Sequence, residues 1–316
     1  MGRISGRCLA KKLDFLIKYL SLNQSDLELF LCEQRVEKYQ NKKETKVPWW
    51  RTPIHYVLIG VLIIIRLFFK RKVIVISDKR KKTKRPVIYA CTHIGAHDVE
   101  SAFEAIKVPC YLFMGDAREI YRTADGIMLW LNGVIFFDTV DKQDRYIAKE
   151  RSISLLQSGG SLLIYPEGAW NITENEIVMP LYAGTAEMAI KSGAEIVPMA
   201  IERYGERYMV AIGENLSTES LEILNKYELT NRLRDELIDL KWLIWEQEGI
   251  QHRKDIPEGY SDWFFHDIMH CDAATYTYED VLATRFRTEE MLEMEAVQKH
   301  LDNVVARKEN AFLWGK

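Results

Sequence analysis

The chain has 316 residues, 47% hydrophobic and 28% charged, enough for one large folded domain with additions and too ordinary a balance for wholesale disorder. Its net charge of −3 excludes generic nucleic-acid binding, which takes a strongly basic domain. Cys8, Cys32, Cys91, Cys110 and Cys271 form no CxxC pair, so neither a zinc ribbon nor a disulfide framework is indicated; reduced thiols in a cytoplasm-facing protein are expected.

Residues 1–50 read as polar helix, with Asp26, Glu28, Glu33 and Glu37 among Leu27, Leu29, Phe30 and Leu31. Met1 to Leu20 lacks an apolar core of secretory length, so secretion is not expected. After Trp49-Trp50-Arg51 comes Ile54 to Phe69, an apolar run broken by His55, Gly60 and Arg66. A bilayer span takes about 20 apolar residues, and shorter runs lie in the interface or in a core. Two tryptophans precede the run and Lys70-Arg71-Lys72 follow it, a pattern that suits headgroups and anionic lipid. From Arg66 to Arg85 the basic residues are interrupted by a single acid, Asp78. A membrane-associated helix is therefore expected, in-plane or spanning, with a buried core helix as the alternative.

Strands and helices then alternate. Strands are expected at Val73–Ile76, Val87–Thr92, Gly133–Phe137, Leu162–Tyr165, Ile196–Ile201 and Tyr208–Ile212, and helices at Val99–Lys107, Arg145–Ser158 and Ala183–Lys191. Such alternation predicts an α/β fold, a largely parallel central sheet flanked by helices. A charged amphipathic helix follows from Ser217 to Lys241, then an aromatic-rich and acidic-helical remainder. The organisation expected is 1–72 N-terminal helical and membrane-associating, 73–216 core, and 217–316 helical C-terminal extension.

Four blocks sit at strand ends. His93 and Asp98 stand where an apolar strand gives way to a helix. Five residues turn a helix by roughly 500°, so the two share no helical face. With His93 on the loop and Asp98 in the first turn, the carboxylate can fold back to fix the imidazole's tautomer. Such a pair is a general base without its own nucleophile, which must then be a substrate hydroxyl or amine. Tyr165-Pro166-Glu167-Gly168 leaves an acid at a second strand end. Gly133 to Phe137 ends at Asp138, and Ile196-Val197-Pro198 puts a proline inside a strand, by itself an edge feature. A metal-assisted hydrolase using His93, His97 and Asp98 is the rival chemistry, since histidines at i and i+4 share a face.

The order H-x4-D, G-x-I-F-x-D, P-E-G, I-V-P over residues 73–215 resembles the glycerolipid acyltransferase family, the lysophosphatidic acid (1-acylglycerol-3-phosphate) acyltransferase group. The resemblance implies transfer of an acyl chain from acyl-CoA or acyl-carrier protein to a lipid acceptor at the cytoplasmic face of the membrane, without a resident cofactor or metal. It implies His93 as base, Asp98 as its partner, and Glu167 and Gly168 at the acceptor site, with Asp138 matching the strand block. Membrane lipids and the acyl donor are the implied partners. The departures bear on the acceptor. Thr92 replaces the family's Asn; Thr139 follows Asp138 in place of Arg; Ala169-Trp170-Asn171 stand for Thr-Arg-Ser; and no Lys occurs between Pro180 and Gly184. Cations that would hold a phosphate are thus missing, with Arg118, Arg122 and Arg145 as candidate substitutes. Trp170 offers an aromatic face to a sugar, an apolar acceptor or a quaternary amine. A non-catalytic membrane-binding relative is the remaining alternative.

Overall fold

A computed structural model of the chain describes residues 6–41, 47–95, 97–115, 120–139, 141–171, 176–218 and 225–250. Three helices come first: α1 (Gly6–Ser21), α2 (Gln24–Asn41) and α3 (Arg51–Phe68). The remainder alternates through β1 (Lys72–Asp78), β2 (Val87–Cys91), α4 (Asp98–Ile106), β3 (Tyr111–Gly115), α5 (Ala124–Asn132), β4 (Ile135–Phe137), α6 (Lys142–Gln157), β5 (Leu162–Ile164), α7 (Gly184–Ser192), β6 (Glu195–Tyr204), β7 (Arg207–Ile212) and α8 (Lys226–Glu248). The sheet order is β1-β7-β6-β2-β5-β3-β4. Strands β6, β2, β5, β3 and β4 run parallel; β7 returns antiparallel to β6, and β1 lies parallel to β7. The α/β fold with a largely parallel sheet is as expected.

The twofold alternation of side chains along each strand divides the core. Val87, Tyr89 and Cys91 of β2 meet α3 and α4, whereas Ile88 and Ala90 meet α6, α7 and α8. With both faces covered, the central strands read as continuous apolar runs. From β2 the chain crosses through α4 to β3, on one side; from β5 it crosses through α7 to β6, on the other. The carboxyl ends of β2 and β5 therefore flank a topological switch point, where open α/β sheets place their crevice.

Several boundaries depart from expectation. The segment between Lys107 and Gly133, unassigned from sequence, holds β3 and α5; Thr123 caps α5 by accepting from Gly126 N at 3.2 Å. Pro198 lies in a central strand, not at an edge. Its carbonyl accepts from Gly213 N at 2.9 Å just past the end of β7, and the ladder to β2 runs through the flanking residues, so no strand bond needs its missing N–H. Helix α8 begins at Lys226 and runs past Lys241 to Glu248, and its Leu229, Leu233 and Leu237 complete the second face of the core. Ser217 is not helical, and the aromatic-rich remainder from residue 251 lies outside the described residues.

The polar breaks in the apolar run are its docking points. His55 Nε2 bonds Asn132 O at 2.7 Å, Arg66 pairs with Glu104 at 2.6 Å, and Ile59 and Leu62 pack inward between them. The opposite face of α3 is apolar and exposed: Val57, Ile64, Leu67 and Phe68, joined by Ile127 and Trp130 of α5. The basic block is also partitioned. Arg66 and buried Arg71 face the protein, and Arg80 caps α4 through the carbonyls of Ala105 and Ile106. Because β1 runs against β2, Lys70 to Lys72 lie at the His93 end of the sheet, and Lys79 to Arg85 at the other.

Helix α2 is fastened by a buried triad. Arg35 reaches both oxygens of Asp144 at 2.9–3.0 Å through Nε, and its Nη2 meets Asp144 and Glu28 at 2.6 Å each. Burial opposes the guanidinium charge, but the two carboxylates outweigh it and raise the Arg35 pKa. Removing one member of such a set leaves an unpaired buried charge. Arg35→Met is expected to cost about 3–5 kcal/mol, measured by urea unfolding; a loss within experimental error would contradict this reading of the N-terminal helices.

Candidate active site

Strand β2 ends at Cys91 and the chain leaves the sheet through Thr92 and His93. Thr92 keeps one foot in the ladder, its N–H donating to Met199 O at 3.0 Å. At Gly95 the backbone adopts φ +83°, a left-handed conformation that glycine reaches without strain. This turn aims the N–H groups of Ile94 and Gly95 at Asp98 Oδ2, at 2.9 and 2.8 Å. The same oxygen lies 2.7 Å from His93 Nδ1. Asp98 is the first residue of α4 and almost fully buried, so the helix N-terminus also favours its charge. An ionised carboxylate only accepts, which puts the proton on Nδ1 and leaves the Nε2 lone pair outward. The His93 side chain is 19% exposed, enough for a substrate to reach it.

The loop after β5 holds the other side of His93. Glu167, buried, accepts from His93 N at 2.8 Å through Oε1 and from Met179 N at 2.9 Å through Oε2. Burial pushes its carboxyl above the usual carboxylate range, against the pull of those two N–H groups, of Lys241 and of His93. Asn171 N donates to His93 O at 2.8 Å, while its side-chain amide closes the loop on Glu176 O at 3.0 Å. Tyr165 stacks on the imidazole at 4.2 Å between centroids and 27° between planes. Trp170 stands edge-on at 6.1 Å. Gly168 has φ +71°, and a Cβ there would lie 2.4 Å from the Tyr182 ring, so the turn admits no side chain.

Of the residues singled out in the sequence, His93, Asp98, Glu167, Gly168 and Trp170 form one neighbourhood. Asp138 lies elsewhere: β5 and β3 separate its strand from β2, and its N–H donates to Asp144 at 2.7 Å, in the network that fastens α2. His97 precedes α4 and engages Glu100 at 3.0 Å. No three His, Cys, Asp or Glu side chains among the described residues converge as an ion-binding set, so the geometry does not favour the His93–His97–Asp98 metal reading. Arg122 is committed to the carbonyls of Tyr19 and Leu22, and Arg145 donates to Thr139 O. Arg118 lies outside the described residues. Burial pushes the Cys91 thiol well up, so it is no thiolate nucleophile. Sequence reasoning missed the stacking by Tyr165 and the clamp by Asn171; an Asn three residues after Gly168 was the available signal.

Residues 72–202 match the model of the family described as Acyltransferase. Among solved structures, the chain is similar to the 1-acyl-sn-glycerophosphate (LPA) acyltransferase PlsC from Thermotoga maritima. The likeness has a TM-score of 0.49 at 12% sequence identity, over 77% of this chain and 90% of that one.

Glu167→Gln tests the clamp, because an amide offers one acceptor where two N–H groups converge. It is expected to lower stability by about 1–3 kcal/mol and to loosen the His93 loop, seen as faster amide exchange at His93. Unchanged exchange would show that Glu167 does not hold the loop.

Proposed function

Since residues 72–202 belong to the acyltransferase family, and the chain is therefore an acyltransferase, we propose that it moves a fatty acyl group from acyl-CoA or acyl-carrier protein to a lipid-like acceptor, with His93 as general base. The observation that carries this is the 2.7 Å bond between His93 Nδ1 and a buried Asp98, which leaves Nε2 as the basic atom. Nε2 takes the proton of the acceptor's hydroxyl or amine as that atom attacks the thioester carbonyl. The C–S bond then breaks, and the imidazolium returns its proton to the departing thiolate. Asp98 stabilises the transient imidazolium, and the Tyr165 ring face adds a cation–π contribution. No side chain of the enzyme is acylated.

Trp170, beside His93 where the resemblance expects a cation, supports an acceptor held partly by an aromatic face. Glu167 and Gly168 shape the acceptor site from behind, Glu167 through the loop and Gly168 through its packing against Tyr182.

Among the described residues one helix, α3, is long and apolar enough to cross a membrane. Its anchors favour an in-plane position instead. His55 near one end and Arg66 near the other bind the catalytic domain, so the helix lies along the protein and offers lipid a single face. Phe68, Phe69 and Lys70 stand at the His93 end of the sheet, where lipid enters from the cytoplasmic leaflet. Helix α1 carries an exposed apolar stripe of its own, Leu13, Leu16, Ile17 and Leu20.

With labelled acyl-CoA and a total lipid extract as acceptor, His93→Ala is expected to lower transfer by about 10²–10⁴-fold, and Asp98→Asn by a comparable factor, both folded. Full activity in either variant overturns the mechanism. Ile64→Glu with Phe68→Glu is expected to abolish co-flotation with anionic liposomes. Undiminished flotation would remove α3 from the membrane contact.

A further inference from the structure

Where β2 stops, β6 continues. Their parallel register closes at Cys91 opposite Met199, yet β6 runs on to Tyr204. Alternate residues of β6 direct their main-chain groups toward β2, and two residues past Met199 the groups of Ile201 face a strand that has ended. Buried peptide groups are not left unpaired. The Ile201 N–H donates to Thr92 Oγ1 at 3.0 Å, and the Ile201 carbonyl accepts from Lys241 Nζ at 2.8 Å and from Thr92 Oγ1 at 3.4 Å. Two side chains, one from the catalytic loop and one from α8, stand in for the missing strand.

Lys241 is unusual for such a task. It is 1% exposed, and its ammonium is paired with Glu202 at 2.9 Å, itself nearly buried and accepting from Trp245 Nε1 at 3.1 Å. A buried ammonium demands full pairing, and here one of its bonds goes to the carbonyl that Thr92 also holds. Thr92 is covalently next to His93, whose N–H and C=O are fixed by Glu167 and Asn171. Helix α8 lies outside residues 72–202, the part that matches the family.

We infer that Lys241 is a positioning residue for His93: through Ile201 and Thr92 it fixes the point at which β2 ends, and so makes α8 part of the catalytic apparatus. The inference rests on His93 being the base, and α8 acquires through it a role beyond covering the sheet. Trp245, Glu202 and Lys241 form the lever, and the Ile201 peptide is where it acts.

The test uses the full chain with Lys241→Met and Glu202→Gln combined, so that neither member of the pair is left charged and alone. The control is Leu240→Ala, which loosens α8 without touching the Ile201 carbonyl. Two signals are read: kcat and KM for acyl transfer, and the downfield proton resonance of the His93 Nδ1–H held by Asp98, assigned by its loss in His93→Ala. The double variant is expected to lose kcat by about tenfold to a hundredfold at unchanged KM for the acyl donor, with the Nδ1–H signal shifted or broadened. Leu240→Ala is expected to lower Tm while leaving both signals in place. Wild-type kcat together with an unmoved Nδ1–H signal in the double variant overturns the inference. If the wild-type protein transfers no acyl group, the proposed function fails, and the resonance still decides whether Lys241 positions His93. Should the double variant not fold, Lys241→Gln withdraws the ammonium but keeps a polar group beside Glu202, and is read by the same two signals.

Discussion

A strand that must end so that a side chain can leave the sheet strands the peptide groups of its neighbour and of the loop it becomes. In this protein that constraint governs the whole site. The loop after β2 carries four main-chain groups that no strand receives: the N–H groups of His93, Ile94 and Gly95, and the His93 carbonyl. Glu167, Asp98 and the Asn171 amide satisfy all four. Asp98 thus serves the backbone and the imidazole with one oxygen, and a change that disturbs the turn disturbs the tautomer with it.

The two acids have divided the work according to their surroundings. Asp98 begins a helix and receives three N–H groups on one oxygen, an environment built for a fixed negative charge. Glu167 splits its oxygens between two loops and meets no imidazole nitrogen. Its burial raises its pKa, so its contribution is to join the segment after β2 to the segment before α7. The carboxyl ends of β2 and β5 at the switch point are thereby tied together by hydrogen bonds, while the His93 side chain stays partly exposed.

Much of this was legible in the sequence, for reasons of range. His93 and Asp98 are five residues apart, and their meeting follows from a strand, a loop and a helix start; the P-E-G turn likewise announces an acid at a strand end. Partners joined over long separations left no local trace. Thr92 and Ile201 are 109 residues apart, and Lys241 looks like an ordinary charged position on an amphipathic helix until the end of β2 supplies a reason to bury it. For Asp138, which entered through the resemblance, the sheet order puts β4 at the edge and its N–H donates to Asp144, a partner six residues on. The polar breaks in the apolar run, His55 and Arg66, likewise find their partners far along the chain, at Asn132 and Glu104, and attach α3 to the domain.

The stacking of Tyr165 on His93 has a consequence for chemical labelling. One face of the imidazole is covered by a phenol ring and one nitrogen is occupied by a carboxylate, which leaves a single edge of the ring to an incoming electrophile. An acylating or alkylating reagent therefore meets this histidine with a built-in regiochemistry, and its adduct is expected on Nε2.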